Sequence, residues 1–289
     1  MQPTTVSPVS PLAINVVKAA GAIRQTLTPS TWAVPVSPAA AEVLLHMAQR
    51  ANRNETSLPM STAHEALVGR KNPVAQASII LKQLEDAGYI NVRKSPTDRR
   101  ARTISFTRQT TQLLRPGGEL ERALQTAIAA QAEPLRALCP NLEAFAWLQI
   151  GDYISPFVVG CTVFAVGVQT SLPWWEVSLK AHVLLAALCE FEANVPAATL
   201  TVGQALKLAF GSQPIFNSTA MIDTLCEAEL LTTTRPNGNG DRRTVHLAVT
   251  EEGRVLYAPN GGFHLECQAI LELIGQTDLI RSVEAPVAA

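Results

Sequence analysis

The chain has 289 residues, of which 47% are apolar, and a formal net charge of −1. That length suits two ordinary domains, and that apolar content excludes global disorder. Near-neutral charge excludes a polycation, so any surface for nucleic acid has to come from local clustering of Lys and Arg.

Residues 1–11, "MQPTTVSPVSP", lack a basic start and an apolar core segment, so they read as a disordered tail and not a signal peptide. Leu12–Leu27 reads as a helix, and "EVLLHMA" (Glu42–Ala48) as a second, apolar one. A short helix, "STAHEALV" (Ser61–Val68), and the turn "GRKNP" follow. The next helix, in "PVAQASIILKQLEDAGYI" (Pro73–Ile90), places Ile80, Leu81, Leu84 and Ala87 on one stripe. The period then changes to two: "YINVRK" (Tyr89–Lys94) and "ARTISF" (Ala101–Phe106) alternate around "SPTDRR", which predicts a β-hairpin.

The middle of the chain is helical in pattern at Glu119–Leu138 and Asn141–Ile154. "FVVGCTVFAVGV" (Phe157–Val168) is too short for a membrane span and reads as a buried helix or strand segment. The earlier order then recurs. "HVLLAAL" (His182–Leu188) matches Glu42–Ala48, and "TVGQALKLA" (Thr201–Ala209) precedes the turn "GSQP". "PIFNSTAMIDTLCEAELL" (Pro214–Leu231) matches Pro73–Ile90 at constant offset, with Met221, Ile222, Leu225 and Ala228 on the apolar stripe. "LLTTTR" (Leu230–Arg235) and "TVHLAV" (Thr244–Val249) form a second predicted hairpin around "PNGNGDRR". Asp98-Arg99-Arg100 at one tip matches Asp241-Arg242-Arg243 at the other. This is a diverged internal duplication. The expected fold class is mainly α with small β-hairpin wings (α+β), in two winged helix-turn-helix domains at 12–138 and 139–281. Residues 282–289 are an expected flexible tail.

At these residues each copy resembles the multiple-antibiotic-resistance-regulator (MarR-type) family. That family's wing signature is Asp-x-Arg, five residues, an aliphatic residue and Thr. Copy one has Asp98, Arg100, Phe106 and Thr107; copy two has Asp241, Arg243, Val249 and Thr250. "LEDAGYI" is similar to the end of the family's recognition helix, while "LCEAELL" departs from it, with Glu229 in the glycine's place. "TEEGRVL" (Thr250–Leu256) is similar to the start of the family's next helix. The resemblance covers about half the chain.

The family usually forms homodimers through long terminal helices. Two copies in one chain therefore imply a covalent pseudo-dimer, monomeric or further associated as a homodimer. It would be joined by Leu12–Leu27, the segments from Leu113 to Pro173 and Gly262–Ile280. A recognition helix reads base edges in the major groove with its N-terminal side chains. In copy one these are Gln76, Ser78, Ile79 and Lys82; in copy two, Asn217, Ser218, Thr219 and Asp223. Helix capping or backbone bonding is the competing reading for Ser78, Ser218 and Thr219. Around the first tip cluster Arg93, Lys94, Arg99, Arg100 and Arg102; around the second lie Arg235, Asn239, Arg242 and Arg243. The resemblance implies that Arg100 and Arg243 enter the minor groove or grip phosphates, and that Asp98 and Asp241 orient an arginine without binding DNA. A merely solvated hairpin tip is the competing reading.

From 70 to 108 there are nine Lys/Arg and three Asp/Glu; from 207 to 254 there are five and six. Phosphate contacts dominate affinity, so copy one is expected to bind more tightly, on an imperfect palindrome of double-stranded DNA. The expected function is a transcription regulator, a repressor, in the cytoplasm of a bacterium. The alternatives are a tandem winged-helix adaptor for protein partners and a regulator whose second copy has lost DNA binding. The resemblance also implies a small aromatic effector. Trp32, Trp147, Trp174 and Trp175 could line its pocket, though core packing explains each one as well. His46, His64, His182, His246 and His264 lack metal-ligand spacing, and five scattered cysteines suit a reducing compartment. No phosphate loop or catalytic motif appears, so neither enzymatic activity nor a cofactor is expected.

Overall fold

A computed structural model describes residues 8–28, 32, 34–51, 57–67, 73–94, 102–130, 154–172, 177–195, 198–211, 217–235 and 245–273. In the first repeat, Ser-Pro pairs open the two leading helices. The Ser10 hydroxyl accepts from the Ala13 N–H ahead of α1 (Pro11–Thr26), and Ser37 accepts from Ala40 ahead of α2 (Pro38–Arg50). Proline at the first helical position lacks an N–H that would go unsatisfied there. After α2 come β1 (Leu58–Pro59), α3 (Met60–Glu65) and α4 (Pro73–Asp86). β2 (Ile90–Lys94) and β3 (Arg102–Phe106) follow, then α5 (Arg108–Leu114) and α6 (Glu119–Ala129).

The second repeat reproduces this order. Its helices α7 (Pro156–Ser171) and α8 (Leu179–Asn194) start at Ser155 and Ser178. β4 (Leu200–Thr201) leads into α9 (Val202–Phe210), where Thr201 and Gln204 form a reciprocal capping box. Then come α10 (Ser218–Glu227), β5 (Leu231–Thr234), β6 (His246–Val249), α11 (Glu251–Leu256) and α12 (Gly262–Leu273). The apolar run from Phe157 is therefore helical. No helix among the described residues is long and apolar enough to cross a membrane.

Each repeat holds one three-stranded antiparallel sheet, in the orders β1-β3-β2 and β4-β6-β5. Both hairpins form where the alternation predicts. Ile90 pairs with Phe106 and Lys94 with Arg102; Leu231 pairs with Val249 and Thr234 with His246. The third strands, β1 and β4, carry no sequence signal. They are two residues long, too short for a period to show.

The chain divides into two compact units that do not follow the repeats end to end. One contains residues 8–21 and the described residues from 165 onward. The other contains 22–130 and 154–164. The start of α1 thus lies with the body of the second repeat, and the start of α7 with the body of the first. Matching hydrogen bonds hold these ends. Ser10 N–H donates to the Tyr257 carbonyl (2.6 Å), just after α11, and Ser155 N–H donates to Leu114 (2.7 Å), at the end of α5. In the first of these units the buried Ser10 hydroxyl also bonds His264 Nδ1 (2.7 Å). Lys18 pairs with Glu190, and a Cβ on Gly21 would stand 2.4 Å from Val183 Cγ2. The expected break between Leu138 and Cys139 and both chain ends lie outside the described residues.

Candidate nucleic-acid interface

The candidate recognition helix α4 is divided cleanly by burial. Ala77, Ile80, Leu81 and Leu84 are buried, whereas Val74, Ala75, Ser78, Ile79, Lys82 and Asp86 are exposed. Gln76 is half-buried at the edge between the two faces. The Ser78 hydroxyl donates to the Val74 carbonyl (3.2 Å), and Lys82 Nζ bonds Asp86 Oδ1 (3.1 Å). Both groups thus have partners within the helix. The back-bonding expected as the competing role for Ser78 is present.

α4 ends in a left-handed turn. Gly88 has φ +76°, with Gly88 N–H donating to Glu85 and Tyr89 N–H to Leu84. α10 ends identically, with Glu229 N–H donating to Cys226 and Leu230 N–H to Leu225. Glu229 occupies the glycine's conformation, at φ +58°. The departure at that position is a change of residue, not of backbone.

The Thr shared by the two repeats at the end of each hairpin has a physical reason. Thr107 Oγ1 donates to the Gly88 carbonyl (2.7 Å) and accepts from Thr110 N–H as the cap of α5. Thr250 Oγ1 donates to Glu229 (2.6 Å) and accepts from Gly253 N–H (3.0 Å). One hydroxyl per copy thereby ties the end of the candidate recognition helix to the root of the hairpin. Glu85 adds a second tie in copy one, accepting from Val92 N–H (3.0 Å).

On the first hairpin Arg93, Lys94 and Arg102 are all exposed, and none forms an ion pair among the described residues. Lys94 stands directly opposite Arg102. Like charges facing across a strand pair are unfavourable in the free protein. The second hairpin carries exposed Thr232, Thr233, Thr234 and Arg235 instead. On α10, Ser218 is half-buried, Asn217 and Thr219 are exposed, and Asp223 stands exposed where copy one has Lys82. Asn217 has φ +59° and makes no side-chain cap bond. Asp98, Arg99, Arg100, Asn239, Asp241, Arg242 and Arg243 lie outside the described residues.

No family model matches the chain, and no curated protein matches it significantly.

Of the remaining sequence candidates, Trp32, His182 and His264 belong to the core, while His46, His64 and His246 are half-buried. Trp32 is buried with its ring edge-on to Tyr89 (centroids 5.5 Å), and Tyr89 hydroxyl donates to the Val34 carbonyl (2.8 Å). Trp147, Trp174 and Trp175 lie outside the described residues. His182 and His264 are buried, bonded to Tyr257 and Ser10. Burial, with Arg50 nearby, lowers the pKa of His46 against the opposing pull of Glu65. No His/Cys/Asp/Glu group that could hold a metal occurs among the described residues. Burial pushes the Cys189 thiol up to about 12, and Cys267 moves the same way. One stabilising cluster has no sequence motif. Glu192 accepts from Arg254 Nη2 (3.0 Å) and, through its other oxygen, from Val249 N–H (2.9 Å), joining α8, β6 and α11.

Proposed function

We propose that this chain is a double-stranded-DNA-binding transcription regulator, a repressor of the MarR-type winged helix-turn-helix class, acting in the cytoplasm with two such units in one polypeptide. The observation that carries the reading is the repeated unit itself. An amphipathic helix with one exposed face ends in a left-handed turn and is tied by a threonine hydroxyl to an antiparallel hairpin, twice, with the same partners. A helix of this kind would enter the major groove. The hairpin beside it would place cations on the backbone or in the minor groove. In copy one Lys94 and Arg102 face each other with no acid paired to either among the described residues, an arrangement that a polyanion relieves.

Reciprocal placement of α1 and α7 supports the pseudo-dimer. Each repeat's first helix begins against the other repeat's body, which is how one chain would take the place of two subunits. The copies would bind unequally. Copy one presents Arg93, Lys94 and Arg102 near the tip, whereas copy two presents threonines and Arg235. The operator would accordingly be an imperfect palindrome.

Selection of bound duplexes from a random pool by the purified full chain tests this. We expect two related half-sites about 10 bp apart. Replacing Arg99 and Arg100 together by Ala should sharply weaken binding to the selected duplex. Selection that enriches nothing, even at low salt, would refute the reading. A second reading, a tandem adaptor for protein, draws on the exposed Asp223 and Glu227 of α10, which would repel phosphate. It requires that the first hairpin's cations tolerate neutralisation without any loss of DNA affinity.

A further inference from the structure

α4 carries an unusual outer face for a helix assigned to polar base contacts. Ile79 and Val74 are the two most exposed large apolar side chains among the described residues, at 71% and 60%. They sit at the two edges of its exposed arc, about 140° apart at about 100° per residue. Ala75, Ser78, Lys82, Glu85 and Asp86 lie between them, the charged three toward the C-terminal end. Single exposed apolar side chains need no explanation, but here they flank Ser78, whose hydroxyl proton is already used within the helix. The Ser78 proton goes to the Val74 carbonyl, and Lys82 is held by Asp86. The N-terminal part of this arc, where a recognition helix meets base edges, presents Val74, Ala75, Ser78 and Ile79 and is chiefly hydrocarbon. A major-groove edge offers one hydrocarbon feature, the thymine C5 methyl, which marks A·T pairs and tells A·T from T·A by its strand.

Resting on the DNA-binding reading above, we propose that Ile79, on the exposed arc of α4 beside the uncovered cations of the β2–β3 hairpin, reads thymine methyl groups in the half-site bound by copy one. Lys94 and Arg102 argue for a polyanion rather than an apolar protein partner on this side of the unit, since α4 packs on β2 and the two exposed cations stand opposite each other with no acid paired to either among the described residues. Copy two has Ala220 where copy one has Ile79, and Ala220 is exposed. Its shorter side chain reaches less far, so methyl dependence belongs to one half-site.

The test uses the full chain and the duplex enriched by selection. Each thymine is replaced singly by uracil, which removes only the methyl, and affinity is read by anisotropy for the parent protein and for Ile79→Ala. Burying one group of this size changes affinity about fourfold. We expect about that loss at one or two thymines, confined to one half-site. The same substitutions should be nearly neutral for Ile79→Ala, which removes an exposed side chain and should keep its melting temperature. Uracil penalties under about 1.5-fold everywhere, penalties unchanged in Ile79→Ala, or a half-site without thymine would each overturn the inference while leaving DNA binding intact. If no duplex is bound at all, the functional reading falls and the inference with it, and the apolar edge of α4 passes to a protein partner.

Discussion

Replacing both Lys94 and Arg102 by Thr should make the free protein more stable and the complex weaker. The two side chains are directly opposed in the β2–β3 register, with no acid paired to either among the described residues. Relieving such a pair with Thr, a residue that suits strands, is worth about 0.2–1 kcal/mol. For a unit of this size that raises the melting temperature by about 1–4 °C. On DNA each lost phosphate contact makes the slope of log K against log salt shallower by about 0.9. Two contacts remove about 1.8. Between about 50 and 200 mM salt, a fourfold range, the variant's affinity should therefore fall about tenfold less than the parent's. Calorimetry and anisotropy over that salt range measure the two effects. A raised melting temperature with an unchanged slope would remove the hairpin from the DNA interface. An unchanged melting temperature would refute the cross-strand repulsion from which the argument starts.

The two left-handed turns predict opposite responses. Gly88→Glu should cost about 1 kcal/mol and Glu229→Gly should recover up to about as much, measured by denaturant midpoints. Gly21→Ala drives a Cβ into Val183 Cγ2, and a branched side chain on a helix has little rotamer freedom to yield. We expect a loss of about 1–2 kcal/mol, diminished when Val183→Ala is added; a purely additive double mutant would refute that contact. The Cys189 thiol, raised from 9.0 to about 12 by burial, stays protonated in the fold while the unfolded chain ionises. Its contribution is complete below pH about 9 and lost as pH rises toward 12, by up to about 4 kcal/mol. Cys189→Ala should flatten that alkaline decline in urea titrations, and the native thiol should resist an aromatic disulfide reagent at pH 8.

Both hairpins and both amphipathic helices were legible in the sequence because their signals are local. A stripe at Ile80, Leu81 and Leu84 and an alternation at Ile90–Lys94 each need only their own segment. Leu58–Pro59 and Leu200–Thr201 gave no such signal, since two residues cannot show a period and their pairing partners lie over forty residues away. The candidate site was legible as a list of positions but not as chemistry. Residue types at Ser78 and Lys82 suggested free polar readers, whereas the helix itself supplies their partners through i,i+4 spacing. The exposure of Ile79 contradicts its hydropathy and follows only from which face α4 buries. Placement of α1 with the second repeat has no local signature at all: it depends on a backbone bond from Ser10 to Tyr257.

That bond also sets a timetable. Ser10 is made 247 positions before Tyr257, the residue that receives its N–H. At about 5–20 residues per second the start of α1 waits roughly 10–50 s for its seat to exist. Until then its apolar face, with Leu12, Val16 and Val17 destined for burial, has no native cover. Synthesis in the other direction of dependence is gentler, because the seat for Ser155 at Leu114 has already left the ribosome when α7 emerges. The exchange that joins the two repeats therefore makes α1 wait for a seat that the second repeat must be made to complete.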